Sequence, residues 1–75
     1  MKNEILEMLL KINPYEEITE NTLLLEEGII DSLALLLLIA EIEKKYDIKI
    51  PFDELQIEDF ETIDKIEQLI KEKQN

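Results

Sequence analysis

An all-α fold is predicted from three features of this 75-residue chain. Apolar residues recur at helical spacing in three separate stretches, the segment between the first two has no period, and no repeat or linker divides the chain. The expected architecture is a small four-helix bundle, three main helices plus one short helix, with a long first loop. Residues 1–75 are expected to form a single domain. A domain of this size buries only about 60% of its unfolded surface, so its core must be small and well patterned.

The first helix is expected over Lys2–Ile12. Ile5, Leu9 and Ile12 fall at i, i+4 and i+7, with Leu6 and Leu10 widening the stripe, while Glu4, Glu7 and Lys11 take the opposite face. Asn13-Pro14 ends it, because proline disfavours helical geometry in the residue before it and has no N–H to donate. From Tyr15 to Asp31 no period holds, and Ile18 with Leu23-Leu24-Leu25 reads as the set of anchors that pins a long loop to the core. Gly28, the only glycine, is placed for a turn of positive φ.

The second helix, from Ser32 or Leu33 to Tyr46, holds more apolar residues than one face can bury. Leu35, Leu38, Ile39, Ile42 and Tyr46 form the expected core stripe, which leaves Leu33, Ala34, Leu36, Leu37 and Ala40 on the flank or outside. Such a helix is either deeply buried or offers a face to a partner; three short neighbours cannot wrap it, which favours the partner face. Lys44-Lys45 suit its negative pole, and Pro51 imposes an extended exit. One or two helical turns are expected around Leu55, Ile57 and Phe60. Thr62 is the expected cap of a last helix, Ile63–Glu72, with Ile63, Ile66, Leu69 and Ile70 inward.

Nineteen Asp and Glu face eight Lys and no Arg, a net charge of −11. Such a surface repels nucleic acid and anionic lipid, whose recognition depends on basic residues meeting phosphates. No Lys lies between Lys11 and Lys44, whereas the interval holds eight acids: Glu16, Glu17, Glu20, Glu26, Glu27, Asp31, Glu41 and Glu43. A solvated face explains an arbitrary acidic run; here the acids surround Ser32, which points to steering of basic partners toward it. Without cysteine there is no disulfide, and without histidine or cysteine the usual metal ligands and the usual general base are missing. No metal site and no catalytic residue are expected. The acids contain no Asp-x-Asp-x-Asp-Gly loop with a closing glutamate, so a calcium module is not indicated either. The amino terminus lacks a secretion-signal profile, and no apolar run reaches the roughly 20 residues that span a bilayer. A cytoplasmic, monomeric protein without membrane insertion is expected.

Gly28-Ile29-Ile30-Asp31-Ser32-Leu33 places a serine at the start of a helix, where free N–H groups and the helix dipole favour a phosphate on its oxygen. With Glu41-Ile42-Glu43-Lys44-Lys45-Tyr46-Asp47-Ile48, Ile50-Pro51 and Asp59-Phe60-Glu61-Thr62-Ile63, this run resembles the acyl carrier protein family over essentially the whole chain. The resemblance implies that Ser32 bears a covalent 4'-phosphopantetheine arm, drawn from coenzyme A by a Mg²⁺-dependent phosphopantetheinyl transferase. The arm would hold an acyl or aminoacyl thioester. Asp31 and Leu33 would flank the attachment, and Glu26, Glu27, Leu33, Ala34, Leu37 and Glu41 would dock the partners. Fatty-acid carriers place acids two and five positions after the serine; here those positions are Ala34 and Leu37. The pattern is closer to D-alanyl carrier proteins and their stand-alone relatives. That resemblance implies loading by an AMP-forming ligase and delivery to a downstream acyltransferase or synthase. The competing expectation is an acidic helical interaction domain without a prosthetic group, in which Ser32 is only an N-cap.

Overall fold

The computed structural model describes residues 1–75, which form three α-helices and no strand. Helix α1 spans Lys2–Ile12, α2 spans Ser32–Tyr46 and α3 spans Ile63–Gln74. The expected short fourth helix is replaced by two 3-10 turns, Phe52–Glu54 and Ile57–Phe60. Helix α3 runs two residues further than the sequence suggests. Lys71 and Lys73 in its last turn lie where the carbonyl end of the helix is negative.

Helix α1 packs against both α2 and α3, and α3 also packs on the second 3-10 turn. Two ties fix α1 and α2 as antiparallel neighbours. Tyr46, at the end of α2, donates its hydroxyl to Glu4 Oε1 at 2.8 Å, and Lys11 meets Glu41 at 3.6 Å. A third tie gathers the other elements: Lys2 Nζ lies 2.8 Å from Asp64 on α3 and 3.1 Å from Glu20 in the connecting segment. Hydrogen bonding to Asp64 and Glu20 holds the Lys2 ammonium well above its ordinary pKa, and the same contact lowers Asp64.

Ile5, Leu9, Leu24, Leu38, Ile42, Phe60, Ile63, Ile66 and Ile70 are fully buried and form the centre of one apolar core. Met8 joins Ile5 and Leu9 on the inner face of α1, a position the i, i+4, i+7 stripe omits although it lies one turn before Ile12. On α2 the buried set is Ala34, Leu38, Ile39 and Ile42, with Leu35 and Tyr46 half-buried. Ala34 is therefore a core residue, which corrects its expected place on the outside and among the docking residues. It lies one turn before Leu38 and two before Ile42, so the buried stripe extends back through it. Ile57, one of three anchors expected in the 3-10 segment, is exposed, while Phe60 is buried and Leu55 half-buried.

Residues 13–31 carry no helix but are held at many points. Ile18, Leu24, Ile29 and Ile30 are buried in the core. Buried Thr22 is satisfied locally, its hydroxyl accepting the Thr19 N–H at 2.8 Å. The Leu24 N–H donates to the Glu61 carbonyl at 2.9 Å, and the Leu24 carbonyl accepts from both Ile29 and Ile30 at 3.0 Å. Backbone groups withdrawn from water must find partners, and Leu24 supplies them for the segment that leads into α2. No helix is long and apolar enough to cross a membrane.

Candidate functional site

The approach to α2 is a tight turn. The Gly28 N–H bonds the Leu25 carbonyl at 3.2 Å, and Gly28 has φ +74°, a conformation that side chains with a Cβ rarely adopt. The side chain of Asn13, just past α1, donates to the Ile29 carbonyl at 2.8 Å. Ile29 and Ile30 then point inward, and Asp31 emerges with extended backbone (φ −102°, ψ −173°).

Asp31 is the N-cap of α2: its Oδ1 accepts the Ala34 N–H at 2.8 Å, and its carbonyl accepts the Leu35 N–H at 2.8 Å. Ser32 is the first helical residue, not the cap. Its side chain is exposed and makes no hydrogen bond within the chain. Because Asp31 satisfies the backbone, the serine hydroxyl has no structural task. The N–H groups of Ser32 and Leu33 lie in the first turn, where no intrahelical carbonyl is available to them. A phosphate ester on Ser32 Oγ would sit beside those amides and the positive end of a 15-residue helix. The residues present thus fit a phosphate-linked arm, which would supply a terminal thiol for thioester formation.

An apolar cleft of about 220 Å³ lies beside Ser32, lined by Leu25, Ile30, Asp31, Leu35 and the exposed Ile57. On the outer side of α2, Leu33 is 66% exposed, Leu36 48% and Leu37 49%, and Ala40 is also exposed. Of the expected docking residues, Leu33 and Leu37 are therefore free to meet a partner, and Glu26 and Glu27 are exposed ahead of the serine. Glu27 also closes its own turn by accepting the Leu23 N–H at 3.2 Å. Glu41 is half-buried and paired with Lys11, so much of its charge is answered within the chain. The role of Asp31 as cap and the role of Leu24 as the backbone anchor of the loop were not distinguished in the sequence. Asp and Ser are near-equal N-caps, and only the extended backbone at residue 31 decides between them.

The family model for the phosphopantetheine attachment site matches residues 3–70. Among curated proteins, the D-alanyl carrier protein of Lactococcus lactis subsp. cremoris (strain MG1363) is 37% identical over 75 residues, covering 97% of this chain and 95% of its own. That of Lactococcus lactis subsp. lactis (strain IL1403) is 35% identical over 77 residues, covering 100% and 98%. The Listeria welshimeri D-alanyl carrier protein is 38% identical over 63 residues, 81% of each chain. No solved structure gives a significant match. These matches span nearly the whole chain, and they disfavour an interaction domain without a prosthetic group. The chain belongs to the phosphopantetheine-attachment family and is a carrier protein, holding an acyl or aminoacyl group as a thioester on a covalent 4'-phosphopantetheine arm.

Proposed function

We propose that Ser32 is the attachment residue and that the cargo is D-alanine or a similarly small amino acid. The observation that carries this reading is the division of labour at the start of α2: Asp31 caps the helix at 2.8 Å, and Ser32 Oγ is left exposed and unpartnered. The 3-10 turns stand where a carrier bundle would have its short fourth helix. The D-alanyl carrier proteins similar to this chain support the cargo class. Ala34 and Leu37 support it as well, since one is buried and the other apolar, and neither offers the carboxylate expected of fatty-acid carriers at those positions.

In this reading the chain is a single carrier domain with no catalysis of its own. A phosphopantetheinyl transferase must supply the base that activates Ser32, because no imidazole or thiolate is available in the chain. An AMP-forming ligase loads the arm, and a downstream acyltransferase or synthase receives the group, in the cytoplasm. Leu33 and Leu37, with Glu26, Glu27 and the partly exposed edge of Glu41, form the docking face. The acidic block steers basic partners to it.

The test is loading. The arm-bearing protein is incubated with ATP, Mg²⁺ and AMP-forming ligases for D-alanine or for fatty acids, and the intact mass is read before and after hydroxylamine. A hydroxylamine-labile gain of one alanyl group is expected with the D-alanine ligase. A fatty-acyl gain alone would overturn the cargo assignment.

A further inference from the structure

We infer that Asn13 is a positioning residue for the chemistry at Ser32: its side-chain amide fixes the peptide at Ile29 and so sets where the serine hydroxyl stands. This rests on Ser32 being the attachment residue. Asn13 Nδ2 donates to the Ile29 carbonyl at 2.8 Å, between residues 16 apart in the chain. No other side chain bonds a backbone group more than 7 residues away. Local geometry leaves Asn13 this task. Pro14 favours a non-helical residue before it, and Asn13, just past the last turn of α1, has φ −129° and ψ 74°. Its N–H donates to the Leu9 carbonyl at 2.8 Å, and its carbonyl accepts from Glu16 at 3.2 Å. With both backbone groups engaged and the residue half-buried, the short side chain presents its amide from a fixed point.

On the receiving side, Ile29 is buried, and its N–H, like that of Ile30, donates to the Leu24 carbonyl at 3.0 Å. Those bonds close the turn on itself, and the Leu24 N–H ties it to the Glu61 carbonyl. The Asn13 bond is the hydrogen bond that ties it to the end of α1. A buried carbonyl stripped of its donor is costly, so loss of the amide would be relieved by turning the Ile29 peptide toward water. Only Ile30 and Asp31 separate that peptide from Ser32, and neither is a glycine that could absorb the movement. A shift at Ile29 is therefore passed to the start of α2.

The consequence is felt in the attachment step. Ser32 Oγ forms a bond to the pantetheine-bearing phosphorus of coenzyme A. The bond from that phosphorus to adenosine 3',5'-bisphosphate breaks, the bisphosphate leaves, and the hydroxyl proton passes to the transferase's base. Displacement at phosphorus needs the oxygen in line, and a misplacement of about 1 Å can cost about 100-fold in rate. The serine hydroxyl has no partner within the chain, so its place is set by the backbone alone. Leu33 and Leu37, by contrast, stand on the helix and stay exposed whether or not the Ile29 peptide is fixed. Loss of the Asn13 amide should therefore act on turnover rather than on docking.

The experiment measures apparent KM and kcat for conversion of the carrier by a phosphopantetheinyl transferase with coenzyme A and Mg²⁺, read by intact mass. Three variants are compared with the wild type: Asn13→Ala, Asn13→Leu, which keeps nearly the same shape without the donor, and Tyr46→Phe. The last removes a hydrogen bond between α1 and α2 at the end of α2 away from Ser32, and so controls for lost stability. Both Asn13 variants are expected to lower kcat about ten-fold with KM within about two-fold, and Tyr46→Phe to leave both within about two-fold. Backbone ¹⁵N order parameters at Ile30, Asp31 and Ser32 are expected to fall in the Asn13 variants alone. In the wild type, which needs no variant to fold, a coupling through the hydrogen bond is expected between Asn13 Nδ2 and the Ile29 carbonyl carbon. Unchanged kcat in the Asn13 variants, or an equal fall in Tyr46→Phe, would overturn the inference. So would a rise in KM alone, which would place Asn13 in docking, or absence of the wild-type coupling. Absence of any wild-type mass gain would overturn the Ser32 assignment itself, and this inference with it.

Discussion

Asp31 caps α2 and its neighbour Ser32 is the proposed attachment residue, and single substitutions should separate the two roles. Asp31→Ala removes the acceptor of the Ala34 N–H and is expected to cost about 1 kcal/mol in urea denaturation, whereas Asp31→Asn, an equally good cap, should cost close to nothing. Equal losses for Ala and Asn would mean that the charge, rather than the hydrogen bond, stabilises the helix start. Gly28 gives a second case. A Cβ built there meets nothing within 4 Å, so the penalty of Gly28→Ala comes from φ +74° alone and is expected to be about 1 kcal/mol. The serine stands out in the sequence as a candidate site because of its setting of glycine, aliphatics and aspartate. What the sequence left open was which of two adjacent capping residues bonds the backbone, since that depends on one pair of dihedral angles.

The elements followed their hydrophobic periods closely where the period was strong. Helix α1 and the Thr62 cap, whose hydroxyl accepts the Lys65 N–H at 3.2 Å, lie where the sequence places them. Helix α2 was harder to orient because leucines occupy every side of its first half. Periodicity could not rank Ala34 against Leu35, and the buried stripe passes through the smaller residue. In the connecting segment, Leu24 is fully buried and both of its backbone groups are bonded. Leu24→Ala is expected to destabilise by about 2–5 kcal/mol, a large share of the stability of so small a domain, and to loosen the approach to Ser32. Amide exchange at Ile29 and Ile30 would report that loosening, and unchanged protection there would contradict the anchoring role. The α1–α2 tie makes a pH prediction. Burial, and then the hydrogen bond to Glu4, push the Tyr46 phenol above its ordinary 10.0. The unfolded chain therefore ionises first: stability from this contact is complete below pH 10.0 and is lost as pH rises beyond it. The same bond, foremost among its causes, lowers Glu4 below its ordinary 4.5, so that contribution is present above pH 4.5 and lost as pH falls. Tyr46→Phe should flatten the alkaline limb of the stability profile; an unaltered limb would assign it elsewhere.

For the molecule as a whole, the decisive quantity is a charge of −11 on 75 residues. Self-repulsion of this size opposes the folded state, so moderate salt is expected to raise the thermal midpoint even as it weakens docking of basic partners. A midpoint that falls with salt would mean that the six ion pairs outweigh the repulsion. Most of these pairs are exposed and individually worth little. Charge, fold class and attachment motif were all readable in the chain because each is carried by many residues or by a contiguous run. The pocket that Met8, Lys11, Ile12, Leu37, Ala40 and Glu41 line between α1 and α2 was not, because it arises from packing between distant segments. The loading and docking proposed above depend on attachment of the arm at Ser32. Its most direct test is the intact mass of the protein after incubation with coenzyme A, Mg²⁺ and a phosphopantetheinyl transferase, beside Ser32→Ala. A gain of one phosphopantetheinyl group is expected on the wild type and none on the variant. An equal gain on Ser32→Ala, or no gain on a folded wild type with several transferases, would contradict it.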